Sequence, residues 1–313
     1  MIAPTSEESH RSGFVAVAGR PNVGKSTVIN CWLNQSVAAV SPRPQMTRRR
    51  QLGILSLPKA QVILVDTPGL HRPRHKLGQA LNRTAEEAIR DAEVVLTVCD
   101  LHEPPSAEDR QVADALQSLS PSAPLVLAMN KLDLVPPTQV GDRLLPFQGL
   151  FPSAAATQAV SALTGTGMQE LLALVVERLP EGPAYFPEED VTDLQERELA
   201  ADWIRSAALG LLRDEVPHSL AVRVDEYRER DERSAYIAAT LLVERESQKG
   251  IVIGRGGSML KQIGTRARQE IENLVGRQVY LDLRVRVLAH WRDDPQALHD
   301  LGFGPVQRRR SGR

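Results

Sequence analysis

Residues 19–26 read GRPNVGKS, between the apolar run FVAVA and the helical run STVINCWL. A glycine-rich turn joining a strand to a helix constrains this chain more than any other feature. Successive backbone N–H groups converge on one point and the helix N-terminus adds partial positive charge, so the turn cradles a phosphate chain. Gly19 and Gly24 give the turn its tight path, with Arg20, Pro21, Asn22 and Val23 between them. Lys25 reaches the outer phosphates, Ser26 offers its hydroxyl to Mg²⁺, and Thr27 completes the phosphate-binding set. The motif alone does not choose ATP or GTP.

Three further short motifs follow, each at the end of an apolar run. Asp66, Thr67, Pro68 and Gly69 come after VILV. An Asp there holds the metal through water, and the Gly69 N–H senses the terminal phosphate. The plain alternative is a turn, for which Thr-Pro-Gly is good chemistry. Asn130, Lys131, Leu132 and Asp133 come after LVLAM. The Asp133 carboxylate can accept both the N1–H and the 2-amino group of guanine, a donor pair adenine lacks. Asn130 and Lys131 brace the loop and flank the base; the plain alternative is a helix cap. Ser161, Ala162 and Leu163 then place a backbone N–H where the guanine oxygen falls. Four such motifs in this order point to a GTP/GDP site.

Their order resembles the translation-factor-type GTPases with a Ras-like fold. That resemblance implies a switch threonine for Mg²⁺, and PQMTRRR (44–50) supplies Thr47, with Met46 where many relatives carry threonine. The implied metal set is Ser26, Thr47 and Asp66, and the implied catalytic set is Lys25, Thr47 and Gly69. The arginines at 48–50 are either a solvated strand edge or an RNA contact. Leu70 stands where some small GTPases use glutamine to orient water, so hydrolysis is expected to be slow or completed in trans. Asn22 stands where potassium-activated relatives hold K⁺; the alternative is a side chain that braces the loop.

The chain has 313 residues, 42% hydrophobic and 25% charged, with a net charge of −1. That allows about two soluble domains, and the chain as a whole has no polyanion-binding excess. Cys31 and Cys99 lie in apolar runs without a spaced Cys/His cluster, which argues against a zinc site and fits a reducing cytosol. The polar N-terminus does not read as a signal peptide, and no apolar run reaches the ~18 residues of a membrane helix. Strand runs alternate with helical runs from Phe14 to about Leu179. This predicts an α/β G domain over 13–180 with a mostly parallel sheet and one antiparallel hairpin around LPKA. The last strand is read at QAVSAL (158–163). A Pro-rich acidic linker is expected over 181–194, a smaller α/β domain over 195–290 and a tail over 291–313.

The second domain orders helix, two strands, helix, GRGG turn, helix and strand. Gly254, Arg255, Gly256 and Gly257 form a GxxG loop, which lets a nucleic-acid backbone approach closely. From Arg245 to Arg292 basic residues exceed acidic ones by six, Lys249 and Lys261 among them. The alternative is a capping turn on a surface-charged domain. Against it, the element order is that of a type II KH domain, a binder of single-stranded RNA. G motifs and KH domain together, over residues 13–304, resemble the Era family of bacterial ribosome-assembly GTPases. The resemblance implies binding to the 3′ end of small-subunit rRNA and a role in processing and assembling that subunit. It also implies peripheral contact with the inner face of the cell membrane; a cytoplasmic monomer whose RNA binding is switched by GTP or GDP is expected. Two rival classes are a tRNA-modification GTPase and an RNA-binding module whose G domain is only structural. The first would carry an inserted helical domain and a C-terminal cysteine, both absent from this sequence; Lys25, Ser26 and Asp66 count against the second.

Overall fold

The computed structural model describes residues 10–35, 38, 39, 48, 51–70, 73, 75–193, 196–213, 215–231 and 233–303. Thr47 lies outside them. The chain forms two compact units. Segments 1–38, 50–71 and 85–193 make the first, and 39–49, 72–84 and 194–313 make the second.

The first unit is a six-stranded sheet in the order β2-β3-β1-β4-β5-β6. Its strands are β1 (Arg11–Ala18), β2 (Gln51–Leu57), β3 (Ala60–Asp66), β4 (Val94–Asp100), β5 (Leu125–Asn130) and β6 (Ala154–Ala159). β2 alone is antiparallel, joined to β3 by the turn at Pro58–Lys59, so the expected hairpin is present. Every residue of β3, β4 and β5 is buried. A parallel sheet covered on both faces needs such continuous apolar runs. The covering helices are α1 (Lys25–Leu33), the C-terminal part of α2 (Lys76–Arg90), α3 (Ala107–Leu119), α4 (Val140–Leu150) and α5 (Met168–Arg178). Ser106 caps α3 in a reciprocal box with Asp109. The last strand lies earlier than the sequence suggests: β6 ends at Ala159 and residues 160–163 form the loop beyond it. The acidic linker is strapped to this unit. Gly182 N–H donates to the His10 carbonyl at 3.0 Å, and Ile54 N–H to the Val191 carbonyl at 2.8 Å.

The second unit has a three-stranded sheet of β7 (Ala221–Asp231), β8 (Ser234–Val243) and β9 (Gln278–Val287) in that order. β7 pairs antiparallel and β9 parallel with β8. Helices α6 (Glu196–Leu211), α7 (Val216–Ser219), α8 (Glu246–Ile253), α9 (Ser258–Val275) and α10 (Pro295–Asp300) complete it. The alternating residues Ile237, Ala239 and Leu241 of β8 bury one sheet face against α6 and α9, beside Ile204, Ala208, Ile263 and Ala267. Residues 291–303, read from sequence as part of a tail, are folded. Trp291 is fully buried and packs with Leu298 and Leu301 against Leu77 and Leu81 of α2.

Candidate functional site

The glycine-rich turn follows β1 at the carboxyl end of the sheet. Gly19, Asn22 and Gly24 have φ values of 140°, 64° and 101°. A Cβ at Gly24 would meet the Asn130 amide nitrogen at 2.2 Å, and one at Gly19 the Val98 carbonyl oxygen at 2.4 Å. Only glycine fits either place. Lys25 is buried, and its ammonium donates to the carbonyls of Gly19 (3.1 Å) and Arg20 (2.9 Å). Burial pushes its pKa down to about 8, against the opposing pull of the Asp66 carboxylate; the Arg20 charge lowers it further. The Ser26 hydroxyl donates to Asp66 Oδ2 at 2.9 Å, which brings two of the expected metal ligands together.

Asp66 ends β3, and the Thr67 hydroxyl donates to the Val17 carbonyl at 2.8 Å, which fixes the start of the next loop. A Cβ on Gly69 would press on Pro21 at 3.0–3.1 Å, so the second motif touches the first. Leu70 is buried in the core with Ala16, Ala85 and Cys99 and presents nothing polar to water. Arg20 turns outward from the turn: Asp109, Glu103 and Asp100 hold its guanidinium. Its backbone, not its charge, lies at the cradle.

Asn130 ties three motifs into one body. Its amide nitrogen donates to the Val23 carbonyl at 2.8 Å, and its amide oxygen accepts from Ala162 N–H at 2.9 Å. Lys131, at φ 67°, pairs with Asp100. Asp133 accepts a hydrogen bond from the Ser161 hydroxyl at 2.6 Å, which orients the carboxylate. Leu163 is 79% exposed. Burial pushes both thiols up, and among the described residues no three His, Cys, Asp or Glu side chains cluster as a metal site.

The arginine run contains a correction. Arg48 is no solvated edge; it is buried, and its guanidinium donates to the Leu220 carbonyl at 2.8 Å and the His218 carbonyl at 3.4 Å. It also lies 5.6 Å from the Trp291 ring centroid. Two residues along, Asp293 accepts from Lys76 N–H at 3.0 Å and pairs with His75 at 2.9 Å. One short stretch, 291–293, therefore holds both Arg48 and the start of α2.

In the second unit Gly254, Gly256 and Gly257 all have positive φ. At Gly254 a Cβ would strike Met259 at 2.8 Å, whereas Gly256 and Gly257 face open space. The turn thus has one packed glycine and two that leave the backbone approachable. Beside it runs a groove of about 560 Å³ between α9 and β9. Gly257 and Lys261, two of the residues expected to meet RNA, line it. Lys249 does not, and sits 3.7 Å from Glu246. Sequence reasoning missed Tyr236, Arg268, Tyr280 and Asp282 on the same groove. The period-2 pattern of β9 shows which residues point outward, but not which of them border α9.

A family model described as a 50S ribosome-binding GTPase matches residues 14–131, and one described as a KH domain matches residues 215–292. GTPase Era of Mycolicibacterium smegmatis is 45% identical over 295 residues, 94% of this chain and 99% of that protein. GTPase Era of Geobacter metallireducens is 42% identical over 299 residues, 95% and 99% of the respective chains. Among solved structures, Era in complex with MgGDPNP and nucleotides 1506–1542 of 16S ribosomal RNA matches with a TM-score of 0.89 and 36% identity. That match covers 95% of this chain and all 100% of the other. A variant of Aquifex aeolicus Era bound to GDP·AlF4⁻ matches with the same TM-score, over 94% of this chain.

Proposed function

This chain belongs to the Era family of GTPases, and from that membership we propose that it binds the 3′ end of small-subunit rRNA through its second unit, under control of the guanine nucleotide held by its first, and so acts in processing and assembly of the small ribosomal subunit. The observation that carries this is the near-full-length likeness to an Era structure that holds both a GTP analogue and 16S rRNA nucleotides.

The backbone from Gly19 to Thr27 wraps the phosphates, and Lys25 meets their outer oxygens. Asp133 reads the guanine edge, and the backbone of Ser161–Leu163 meets its oxygen. The oxygen donors Ser26 and Asp66 fit Mg²⁺, a hard ion that takes oxygen ligands. Bound there, the ion would offset negative charge on the outer phosphates. Thr47 is assigned as its further ligand by resemblance. With Leu70 buried, hydrolysis draws on charge rather than on a positioned glutamine. Asn22, exposed on the turn, is the residue we assign to K⁺; turnover in K⁺ against Na⁺ reads this out. Contact with a membrane would be peripheral, since no described helix is long and apolar enough to cross one.

The switch has a physical route. Arg48 immediately follows Thr47, and α2 follows the Asp66–Gly69 motif. Both are held by Trp291 and Asp293, in the unit that carries the GxxG turn. On this reading, these two segments are where a phosphate-dependent change would enter the second unit. Linkage requires RNA to raise affinity for the GTP analogue by the factor the analogue raises affinity for RNA. The test is binding of a short single strand from the rRNA 3′ end, with GTP analogue and with GDP. Wild type should bind more tightly with the analogue, and Gly256→Asp should abolish binding. Equal affinity in both nucleotides would reject the switch, and undiminished binding by the variant would reject the GxxG turn as reader.

Lys25 gives a separate pH signature. Well below pH 8 the lysine of the free protein is already mostly charged, so it takes up little of a proton on nucleotide binding. Above that value the free side chain is neutral while phosphates favour the charged form. Binding then takes up a proton, and affinity falls with rising pH by at most about tenfold per unit. Calorimetry at pH 9 in two buffers of different ionisation enthalpy should show an uptake approaching one proton, well above that at pH 7. No buffer dependence at pH 9 would refute the assignment.

A further inference from the structure

The groove beside the GxxG turn has an end that the turn does not reach. Gly257 borders one end, and Arg268 on α9 lies eleven residues further, about 16 Å along the helix at 1.5 Å per residue. Val279 N–H donates to Glu272 Oε1 at 2.9 Å, which fixes the start of β9 beside this distal part of α9. Tyr236 and Tyr280 are paired across β8 and β9 at this end and line the same groove. Tyr280 is 53% exposed. The guanidinium of Arg230 lies 5.2 Å from the Tyr236 ring centroid and 4.9 Å from that of Tyr280.

We propose that Tyr236, Tyr280 and Arg230 form a stacking platform for one unpaired base of the RNA strand, at the groove end opposite the GxxG turn. The inference rests on the reading of this groove as an RNA site. Three features favour a base as occupant. Two tyrosines paired on neighbouring strands offer aromatic faces side by side, and every base has a π face to lay on one. A guanidinium over both rings holds them in place and itself stacks on bases or meets their phosphates. Lys261 and Arg268 continue the positive charge along the helix side of the groove, which complements a phosphate backbone running from the turn to the platform. A half-exposed tyrosine contributes little to the core, so its removal leaves the fold intact.

The experiment uses the full chain and single-stranded RNA oligomers of about eight nucleotides, long enough to pass the roughly four that a GxxG turn clamps. 2-Aminopurine replaces each base in turn, and its fluorescence and the affinity are measured. Wild type should quench the probe strongly at one position away from the nucleotides clamped by the turn. Tyr280→Ala should abolish that quenching and weaken binding roughly tenfold, the usual scale of one lost base–aromatic stack. Tyr280→Phe should restore both, and all three proteins should bind GTP equally. Wild-type affinity and quenching in Tyr280→Ala would overturn the platform while leaving the RNA reading intact. Failure of wild type to bind any oligomer, with GTP binding normal, would overturn both.

Discussion

Asp133→Asn should lower GTP affinity by about a hundred- to ten-thousandfold and make xanthosine triphosphate the preferred nucleotide. Two charge-assisted hydrogen bonds from the guanine N1–H and 2-amino group, each worth about 1.5–3 kcal/mol, account for the loss. An asparagine keeps one acceptor for N1–H and turns a donor toward position 2. That suits the 2-oxo group of xanthine and clashes with the 2-amino group of guanine. The substitution should leave the loop in place, because the Ser161 hydroxyl can still donate to the amide oxygen where it now meets Asp133 Oδ1. Competition binding with the two triphosphates decides it. Unchanged preference for GTP would mean that Asp133 does not read the base.

Trp291→Ala should cost the second unit about 3–5 kcal/mol, the usual range for removing a large buried aromatic. The side chain is fully buried, donates its indole N–H to the Ser219 carbonyl at 2.9 Å and stacks with Phe303 at 6.2 Å. Its loss also takes away the face on which the Arg48 guanidinium rests. Two readouts should move together: denaturant unfolding of the second unit shifts to lower concentration, and the ratio of RNA affinities with GTP analogue and GDP falls toward one. Trp291→Phe should keep most of both. Full stability, or lost stability with the nucleotide ratio intact, would remove Trp291 from the coupling route.

What the chain disclosed in advance followed from local chemistry. The strand–helix alternation of the first unit and the helix–GRGG–helix order of the second are both present in the structure. The loops after β3 and β5 are legible because each follows a wholly buried, mostly apolar strand, whereas the loop at 160–163 reads from sequence as part of the strand before it. Arg48 did not read correctly. A run of three arginines looks solvated from sequence. Burial becomes tolerable here only because two carbonyls and a tryptophan face, each more than 160 residues away, accept the guanidinium. The start of α2 was hidden for the same reason, since its first-turn amide is capped from Asp293 rather than from a neighbouring residue. Tyr280 was visible as an outward strand residue, but its place on the groove depends on the parallel register of β8 and β9.

The Asp293 cap also sets a schedule. Lys76 and Asp293 stand 217 positions apart, so a ribosome adding about 5–20 residues per second separates their synthesis by roughly ten to forty seconds. Throughout that interval the opening turns of α2 lack their acceptor, and Leu77 and Leu81 lack the Trp291, Leu298 and Leu301 side chains that cover them. The nascent chain thus carries one helix unfinished at its start until residues 291–303 are made. A chain cut short just before residue 291 keeps its phosphate-binding turn yet leaves that leucine face covered only by Ala221 and Leu242, a ready signal for chaperones and proteases.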